Sequence, residues 1–214
     1  MKNIILFGPP GAGKGTLIEL LGEAGFAFSL INPGQMLRDI TKEDSDFSRK
    51  IKETMARGDL VDDFLVTELV KKKIRELKKG KPVIFDGYPR NLEQVEVVDS
   101  IFTDAGFDLP YLVFLKLPKE EAVRRLSARR VCSACKENFQ VFELKDSEKC
   151  PKCGGKTIQR EDDKPEVIKE RFEIFEMQFK IIDHYFRSRN RYFEIDGMLP
   201  KEERVEELMK IIGK

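Results

Sequence analysis

The stretch Asn3-Ile4-Ile5-Leu6-Phe7-Gly8-Pro9-Pro10-Gly11-Ala12-Gly13-Lys14-Gly15-Thr16 decides the fold of this chain. An apolar run breaks into a glycine-rich segment, and apolar residues resume at once as Leu17-Ile18-Glu19-Leu20-Leu21. This order predicts a β-strand, a tight loop and an α-helix. Glycines allow several backbone N–H groups to point at one place, and the positive end of the helix dipole points there too.

The spacing within the loop indicates its ligand. Gly8, Gly13 and Lys14 match the G-x-x-x-x-G-K pattern of a phosphate-binding loop, in which the lysine supplies a mobile positive charge. Gly15 stands where that pattern has Ser or Thr, and Thr16 follows one residue later. A plain glycine-rich turn rarely has this strand–loop–helix setting, so we predict that the loop binds a nucleoside triphosphate.

Composition narrows the class of protein. The 214 residues are 41% hydrophobic, which suits one globular domain with insertions. The 39 basic and 38 acidic side chains nearly cancel, so we expect no general nucleic-acid-binding surface. The loop starts at Gly8, which leaves no room for a signal peptide, and no apolar run approaches the roughly 20 residues of a membrane span. We expect a cytoplasmic protein that binds neither nucleic acid nor membrane.

Short apolar runs alternate with helical patterns along the rest of the chain. After the first strand, strands are predicted at residues 26–31, 82–86, 111–115 and 192–195. Helices are predicted at residues 35–42, 46–57, 62–79, 92–105, 118–130, 200–212 and in a long segment from Pro165. This alternation predicts a three-layer α/β/α fold with a five-stranded parallel sheet.

The long helix carries a stripe of apolar residues at helical spacing. The stripe consists of Ile168, Phe172, Phe175, Phe179, Ile182 and Phe186. We assign it to the core. His184, the only histidine, lies beside the stripe and is assigned a structural or surface role.

Asp86 ends one of the predicted strands. Ligands of parallel sheets bind at the carboxyl ends of the strands, so Asp86 and the phosphate loop should face the same crevice. A carboxylate at this place can hold Mg²⁺, directly or through water. The alternative is that Asp86 caps the following helix.

Arginines recur at the edges of the predicted elements. They are Arg38, Arg90, Arg125, Arg129, Arg130, Arg160 and Arg171. Several guanidinium groups that converge on one crevice would neutralise the charge of a phosphoryl group in transfer. For any single arginine the alternative is a surface ion pair.

The four cysteines form two C-x2-C pairs separated by fourteen residues, Cys132 with Cys135 and Cys150 with Cys153. Four thiolates in this arrangement predict a closed, structural Zn²⁺ site, with an iron–sulfur or redox site as the alternative. The segment interrupts an α/β domain, so we interpret it as a small mobile flap that the metal stiffens.

Motifs along nearly the whole chain resemble those of adenylate kinases of the long form, which have a zinc-bearing lid. Residues 8–16 resemble the family's G-x-P-G-x-G-K-G-T loop, which accounts for Gly15. The segment Asp86-Gly87-Tyr88-Pro89-Arg90 resembles the D-G-[FY]-P-R signature. Shorter matches are Met36-Leu37-Arg38, Gly58-Asp59-Leu60-Val61, Arg129-Arg130 and Arg160-Glu161-Asp162-Asp163.

The resemblance implies the reaction ATP + AMP ⇌ 2 ADP with Mg²⁺, and it implies residues for each nucleotide. The ATP-binding residues would be Gly11, Ala12, Gly13, Lys14, Gly15, Thr16, Arg125, Arg129, Asn138, Phe139 and Leu199. The AMP-binding residues would be Pro33, Arg38, Asp59, Leu60, Val61, Gly87, Tyr88, Pro89, Arg90, Gln94, Arg160 and Arg171. The catalytic residues would be Lys14, Arg90, Arg129, Arg160 and Arg171, and Asp86 would hold Mg²⁺ through water.

The resemblance also implies how the chain is divided. Residues 1–31, 62–127 and 164–214 would form the core, residues 32–61 a helical AMP-binding segment, and residues 128–163 the zinc-binding lid. Closure of the two inserted segments would exclude water. A monomer is expected.

One motif departs from the family pattern. The family usually has S-T-G-D before M-L-R, and this chain has Asn32-Pro33-Gly34-Gln35. Pro33 has neither a hydroxyl nor a backbone N–H to offer an acceptor base, and Gln35 replaces an aspartate thought to arrange Mg²⁺-bound water. A UMP/CMP or broad-specificity kinase is therefore an alternative, although Gln94 and the zinc lid favour AMP. A nucleotide-dependent nucleic-acid-binding zinc-ribbon protein is an alternative of another class.

Overall fold

The structure, a computed structural model, describes residues 1–40, 48, 49, 51, 62–144 and 148–213. Its strands are β1 (Ile4–Phe7), β2 (Ser29–Ile31), β3 (Val83–Asp86), β4 (Tyr111–Lys116), β5 (Arg129–Cys132), β6 (Asn138–Gln140), β7 (Thr157–Ile158) and β8 (Tyr192–Asp196). Five of them form a parallel sheet in the order β2-β3-β1-β4-β8, which confirms the predicted fold class. Strand β1 lies at the centre, so the loop that follows it opens at the middle of the sheet edge.

The described helices lie close to their predicted positions. They are α1 (Lys14–Glu23), α2 (Pro33–Ile40), α3 (Asp63–Arg75), α4 (Leu92–Asp104), α5 (Lys119–Ala128), α6 (Pro165–Arg187) and α7 (Lys201–Gly213). Most of the helix predicted at residues 46–57 falls outside the described residues. Among the helices that the structure describes, none is long and apolar enough to cross a membrane.

One helix end was predicted wrongly. Arg129 and Arg130 were assigned to a helix, but they belong to strand β5. Arg130 is paired with Phe139 across an antiparallel ladder, and β5 is the middle strand of the small sheet β6-β5-β7. Hydrogen bonds to distant strands therefore override the local helical pattern at this point.

The core has two parts, one on each face of the parallel sheet. Ile4 and Leu6 of β1 point into the part covered by α1, α5, α7 and the start of α6. Ile5 and Phe7 point into the part covered by α3, α4 and the end of α6. Because β1 is buried on both faces, its sequence is continuously apolar rather than alternating.

The stripe on α6 lies against the sheet, as the sequence predicted. Ile168 and Phe172 are buried in the first part of the core and Ile182 and Phe186 in the second, against which Phe175 and Phe179 are partly buried. The Phe179 ring stacks on Phe114 with 4.3 Å between ring centroids. This packing positions α6, whose Arg171 lies 3.4 Å from Asp163, the ion-pair partner of Arg129 in β5.

Candidate active site

At two positions of the loop between β1 and α1, the backbone has a conformation that only glycine adopts without strain. Gly11 and Gly13 have φ angles of 84° and 85°, in the left-handed region. A Cβ atom on Gly11 would also lie 2.7 Å from the carbonyl oxygen of Ala122. Gly13 is the N-cap residue of α1, so the first N–H groups of that helix face the space that the loop encloses.

Lys14 reaches back across this loop. Its Nζ donates hydrogen bonds to the carbonyl oxygens of Gly8 at 2.7 Å and Pro9 at 3.2 Å. Burial lowers the pKa of Lys14 to about 8; the Asp86 carboxylate opposes this shift, and the Arg171 and Arg129 guanidinium groups add to it. Lys14 therefore interacts electrostatically with three other predicted site residues from distant parts of the chain.

Asp86 stands at the carboxyl end of β3 and accepts a hydrogen bond from Nδ2 of Asn32 at 2.9 Å. The Oδ1 atom of Asn32 accepts from the Gln35 N–H at 2.9 Å, which caps α2. The helix after Asp86 is capped by Asn91 instead. The cap interpretation of Asp86 is therefore wrong, and its carboxylate lies where a phosphate-loop protein uses a metal-binding acid.

Three predicted arginines meet at the base of the small sheet. The Nε and Nη2 atoms of Arg129 donate to both oxygens of Asp163, at 2.7 and 2.6 Å. Nη1 of Arg171 lies 2.9 Å from Asp162 and 3.4 Å from Asp163. Arg160 donates to the side chain of Asn138, and burial, followed by the nearby Arg129, lowers its pKa. The 1% exposed Asp163 thus holds two of these guanidinium groups in place.

Arg130 does not join this group. Its Nη1 atom donates to the carbonyl oxygens of Ser127 at 3.2 Å and Arg129 at 2.8 Å. These contacts end the helix before β5, which indicates a local structural role for Arg130.

The segment after Asp86 forms a tight turn that presents Arg90. Nε of Arg90 donates to the Gly87 carbonyl at 2.9 Å, and Tyr88 and Pro89 are buried beneath the turn. The side chain of Gln94 is only 4% exposed, and its Oε1 accepts from the Arg90 N–H at 2.7 Å. Gln94 therefore supports the turn from the core, with its amide NH₂ group as the remaining donor.

The other residues predicted for the acceptor nucleotide lie on or near α2. Pro33 is the first residue of that helix, and Arg38 lies within it. Proline suits the first helical position, where its lack of an N–H has no cost. Asp59, Leu60 and Val61 lie outside the described residues.

The residues predicted to contact the ATP base lie in α5, in the turn between β8 and α7, and in β6. Nε of Arg125 pairs with Glu121 at 2.7 Å, and Nη2 donates to the Gly197 carbonyl at 3.1 Å. Leu199 follows on the same turn, between β8 and α7. Asn138 and Phe139 lie on β6 of the small sheet.

The four cysteines lie together at one end of the small sheet. Their sulfur atoms all lie within 4.8 Å of one another, with 3.5 Å between Cys132 and Cys153 and 3.7 Å between Cys135 and Cys150. Thiolates at about 2.3 Å from a tetrahedral Zn²⁺ would lie about 3.8 Å apart, so the residues fit a metal. The backbone N–H of Cys135 donates to the Cys132 sulfur and is the main cause that lowers the pKa of Cys132 to about 6.

Comparison of the sequence with those of known proteins finds one family. The adenylate kinase family model matches residues 6–191 of the chain. The adenylate kinase of Thermosipho africanus is 36% identical over 217 residues, which covers 98% of this chain and 99% of the relative. That of Thermotoga maritima is 36% identical over 216 residues, covering 100% and 98%. That of Archaeoglobus fulgidus is 34% identical over 197 residues, covering 91% and 90%.

The chain belongs to the adenylate kinase family. The residues that match the family model include the phosphate loop, the Asp86 turn, the four cysteines and the three arginines Arg129, Arg160 and Arg171. Three site features were not predicted from the sequence: the Asn32 contact with Asp86, the buried Asp163 and the placement of Arg204. A signal was available for Asp163 alone, because it ends the Arg160-Glu161-Asp162-Asp163 motif.

Proposed function

We propose that the protein reversibly transfers the terminal phosphoryl group of ATP to AMP and so produces two ADP. One observation carries the proposal: Lys14 of the phosphate loop interacts electrostatically with Asp86, Arg171 and Arg129, which come from distant parts of the chain. The family match and relatives named adenylate kinase along the whole chain support it. They do not favour a nucleic-acid-binding zinc-ribbon protein.

The donor ATP would bind at the loop. Backbone N–H groups of Gly11 to Thr16 would surround its phosphates, Lys14 would pair with the outer ones, and Arg125 would stack on the base. Leu199, Asn138 and Phe139 would complete the pocket. Asp86 would hold the water shell of Mg²⁺, which when bound would offset phosphate charge.

The acceptor AMP would bind between α2 and the Asp86 turn. Arg38 and Arg90 would hold its phosphate, because planar guanidinium groups match phosphate oxygens. Gln94 would donate from its amide to the base. Pro33, Asp59, Leu60, Val61, Gly87, Tyr88 and Pro89 would line the site.

Transfer between the nucleotides needs no side-chain nucleophile. A phosphate oxygen of AMP would attack the terminal phosphorus of ATP, and the bond from that phosphorus to the bridging oxygen of ADP would break. Arg129, Arg160 and Arg171, with Lys14 and Arg90, would stabilise the charge on the transferring group. The ion pairs of Asp162 and Asp163 hold Arg129 and Arg171 in position before the reaction.

We also propose that residues 128–163 form a lid stapled by one structural Zn²⁺ on Cys132, Cys135, Cys150 and Cys153. Residues 32–61 would form the AMP-binding segment, and the remaining residues the core. Closure of both segments would exclude water, which would otherwise accept the phosphoryl group. A monomer in the cytoplasm fits this proposal.

Direct observation of the products tests the reaction. Phosphorus NMR of a mixture of ATP, AMP and Mg²⁺ with the protein should show two ADP formed for each AMP consumed and no inorganic phosphate. Lys14→Ala should abolish the conversion while the circular dichroism spectrum stays that of the wild type. Release of inorganic phosphate in place of ADP formation would contradict the proposal.

A further inference from the structure

Arg204 points from helix α7 at the phosphate loop. It lies in the first turn of α7, and its Nη1 atom donates to the Ala12 carbonyl at 3.4 Å. The same atom lies 3.1 Å from the place that a Cβ on Gly13 would occupy. The side chain therefore lies directly against the backbone that is proposed to bind the donor phosphates, although 192 residues separate Arg204 from Ala12.

The hydrogen bonds of this side chain are incomplete. The Nε atom of Arg204 is buried and has no hydrogen-bond partner among the described residues. A buried N–H without an acceptor is unfavourable, because it has lost its water and gained nothing in return. The long contact with Ala12 does little to offset this loss.

The positive charge of Arg204 also has no ion-pair partner among the described residues. The Glu202 carboxylate favours this charge only from beyond ion-pair distance, and the nearby Arg125 guanidinium opposes it. Burial lowers the pKa of Arg204, and the repulsion from Arg125 adds to the shift. A cation in the first turn of a helix is further disfavoured by the helix dipole.

We propose that Arg204 is an additional ATP-binding residue, which acts with Arg125 on the donor nucleotide and not on the acceptor. The proposal rests on the proposed ATP site. A nucleoside triphosphate at the loop would supply acceptor oxygens and a counter-charge in direct contact, which no described carboxylate gives to Arg204. The charge of Arg204 is unfavourable in the nucleotide-free protein and becomes favourable beside the triphosphate. Arg204 should therefore increase the affinity for ATP and not the stability of the free protein.

Arg204→Met separates these two effects. Calorimetry with MgATP and no AMP should show a Kd about 5- to 20-fold higher than that of the wild type. The melting temperature of the protein without nucleotide should equal or exceed the wild-type value, because the substitution removes a charge that has no ion-pair partner and a buried N–H that has no acceptor. The KM for AMP should stay within about twofold.

Two further variants sharpen the test. Lys210→Met removes the same charge from the exposed part of α7 and should leave the Kd for MgATP unchanged. Arg204→Lys keeps the charge without the fork of donors and should restore part of the lost affinity. A wild-type Kd in Arg204→Met, or a lowered melting temperature with unchanged ATP affinity, would overturn the proposal. Absence of phosphoryl transfer in the wild type would overturn the proposed function instead, since ATP binding is measured without AMP.

Discussion

Lys14 illustrates how a single residue is prepared for its ligand. The loop holds its ammonium group between two carbonyl oxygens, and burial makes the charged form less favourable than in water. A phosphate close to the ammonium would stabilise the charged form again. Binding of ATP should therefore raise the pKa of Lys14 from about 8 and take up a proton at alkaline pH.

The affinity for MgATP should consequently fall as the pH rises through 8. Below this pH the ammonium is charged in free and bound protein alike; above it, the free protein must first gain a proton. Calorimetry should show a Kd about five- to tenfold higher at pH 9 than at pH 7.5. In Lys14→Arg the guanidinium stays protonated, so the profile should be nearly flat. An equal pH dependence in both proteins would show that Lys14 is not the group responsible.

At the scale of elements, the start of α2 is tied to the end of β3. Asn32 caps α2 with its Oδ1 atom and contacts Asp86 with its Nδ2 atom, so one side chain joins the acceptor segment to the proposed magnesium site. Asn32→Ser should retain the cap, but its hydroxyl is too short to reach Asp86. We expect the Mg²⁺ concentration for half-maximal activity to rise about fivefold, with a loss of stability below about 1 kcal/mol.

Asn91→Ser is the matched control for this variant. Asn91 caps α4 through a bond of the same length, 2.9 Å, and its Nδ2 atom donates to Asp63 and not to Asp86. Its substitution should leave the Mg²⁺ requirement unchanged. If Asn32→Ser likewise left that requirement unchanged, the proposed positioning of Asp86 by Asn32 would be wrong.

The small sheet β6-β5-β7 is too small to bury a core of its own, so its stability should depend on metal. We expect one Zn²⁺ per chain by mass spectrometry, and a melting temperature lower by about 5 °C or more after chelation or in Cys150→Ser. The control is Ser133→Ala, which changes a residue between Cys132 and Cys135 but removes no sulfur ligand. Its melting temperature should stay close to that of the wild type. A chain that melts unchanged after chelation would refute a structural metal.

The sequence predicted features that depend on neighbouring residues. Strand β1, the loop and the cysteine pairs each lie within a few residues, so spacing alone identified them. The sequence pattern assigned Arg129 to a helix, because the strand that contains it forms only through pairing with the distant β6 and β7. The contacts of Asn32 with Asp86 and Arg204 with Ala12 span 54 and 192 residues, and only the packed sheet brings those ends together.

At the scale of the whole molecule, the sheet sets the two proposed nucleotide sites at one edge. Parallel strands β1 and β3 end side by side, so the donor loop and the Asp86 turn share a crevice. The arginine group approaches this crevice from the small sheet and the start of α6. In the proposed reaction such an arrangement would bring two phosphates together and surround the transferring group with positive charge.

The identity of the acceptor is the most direct test of the proposed reaction, because Pro33 is proposed to line the acceptor site and has neither a hydroxyl nor a backbone N–H to offer a base. Initial rates should be measured with MgATP and with AMP, UMP, CMP or GMP under the same conditions. We expect the highest kcat/KM for AMP, by about tenfold or more over each of the others. An equal or higher kcat/KM with UMP, CMP or GMP would contradict this expectation.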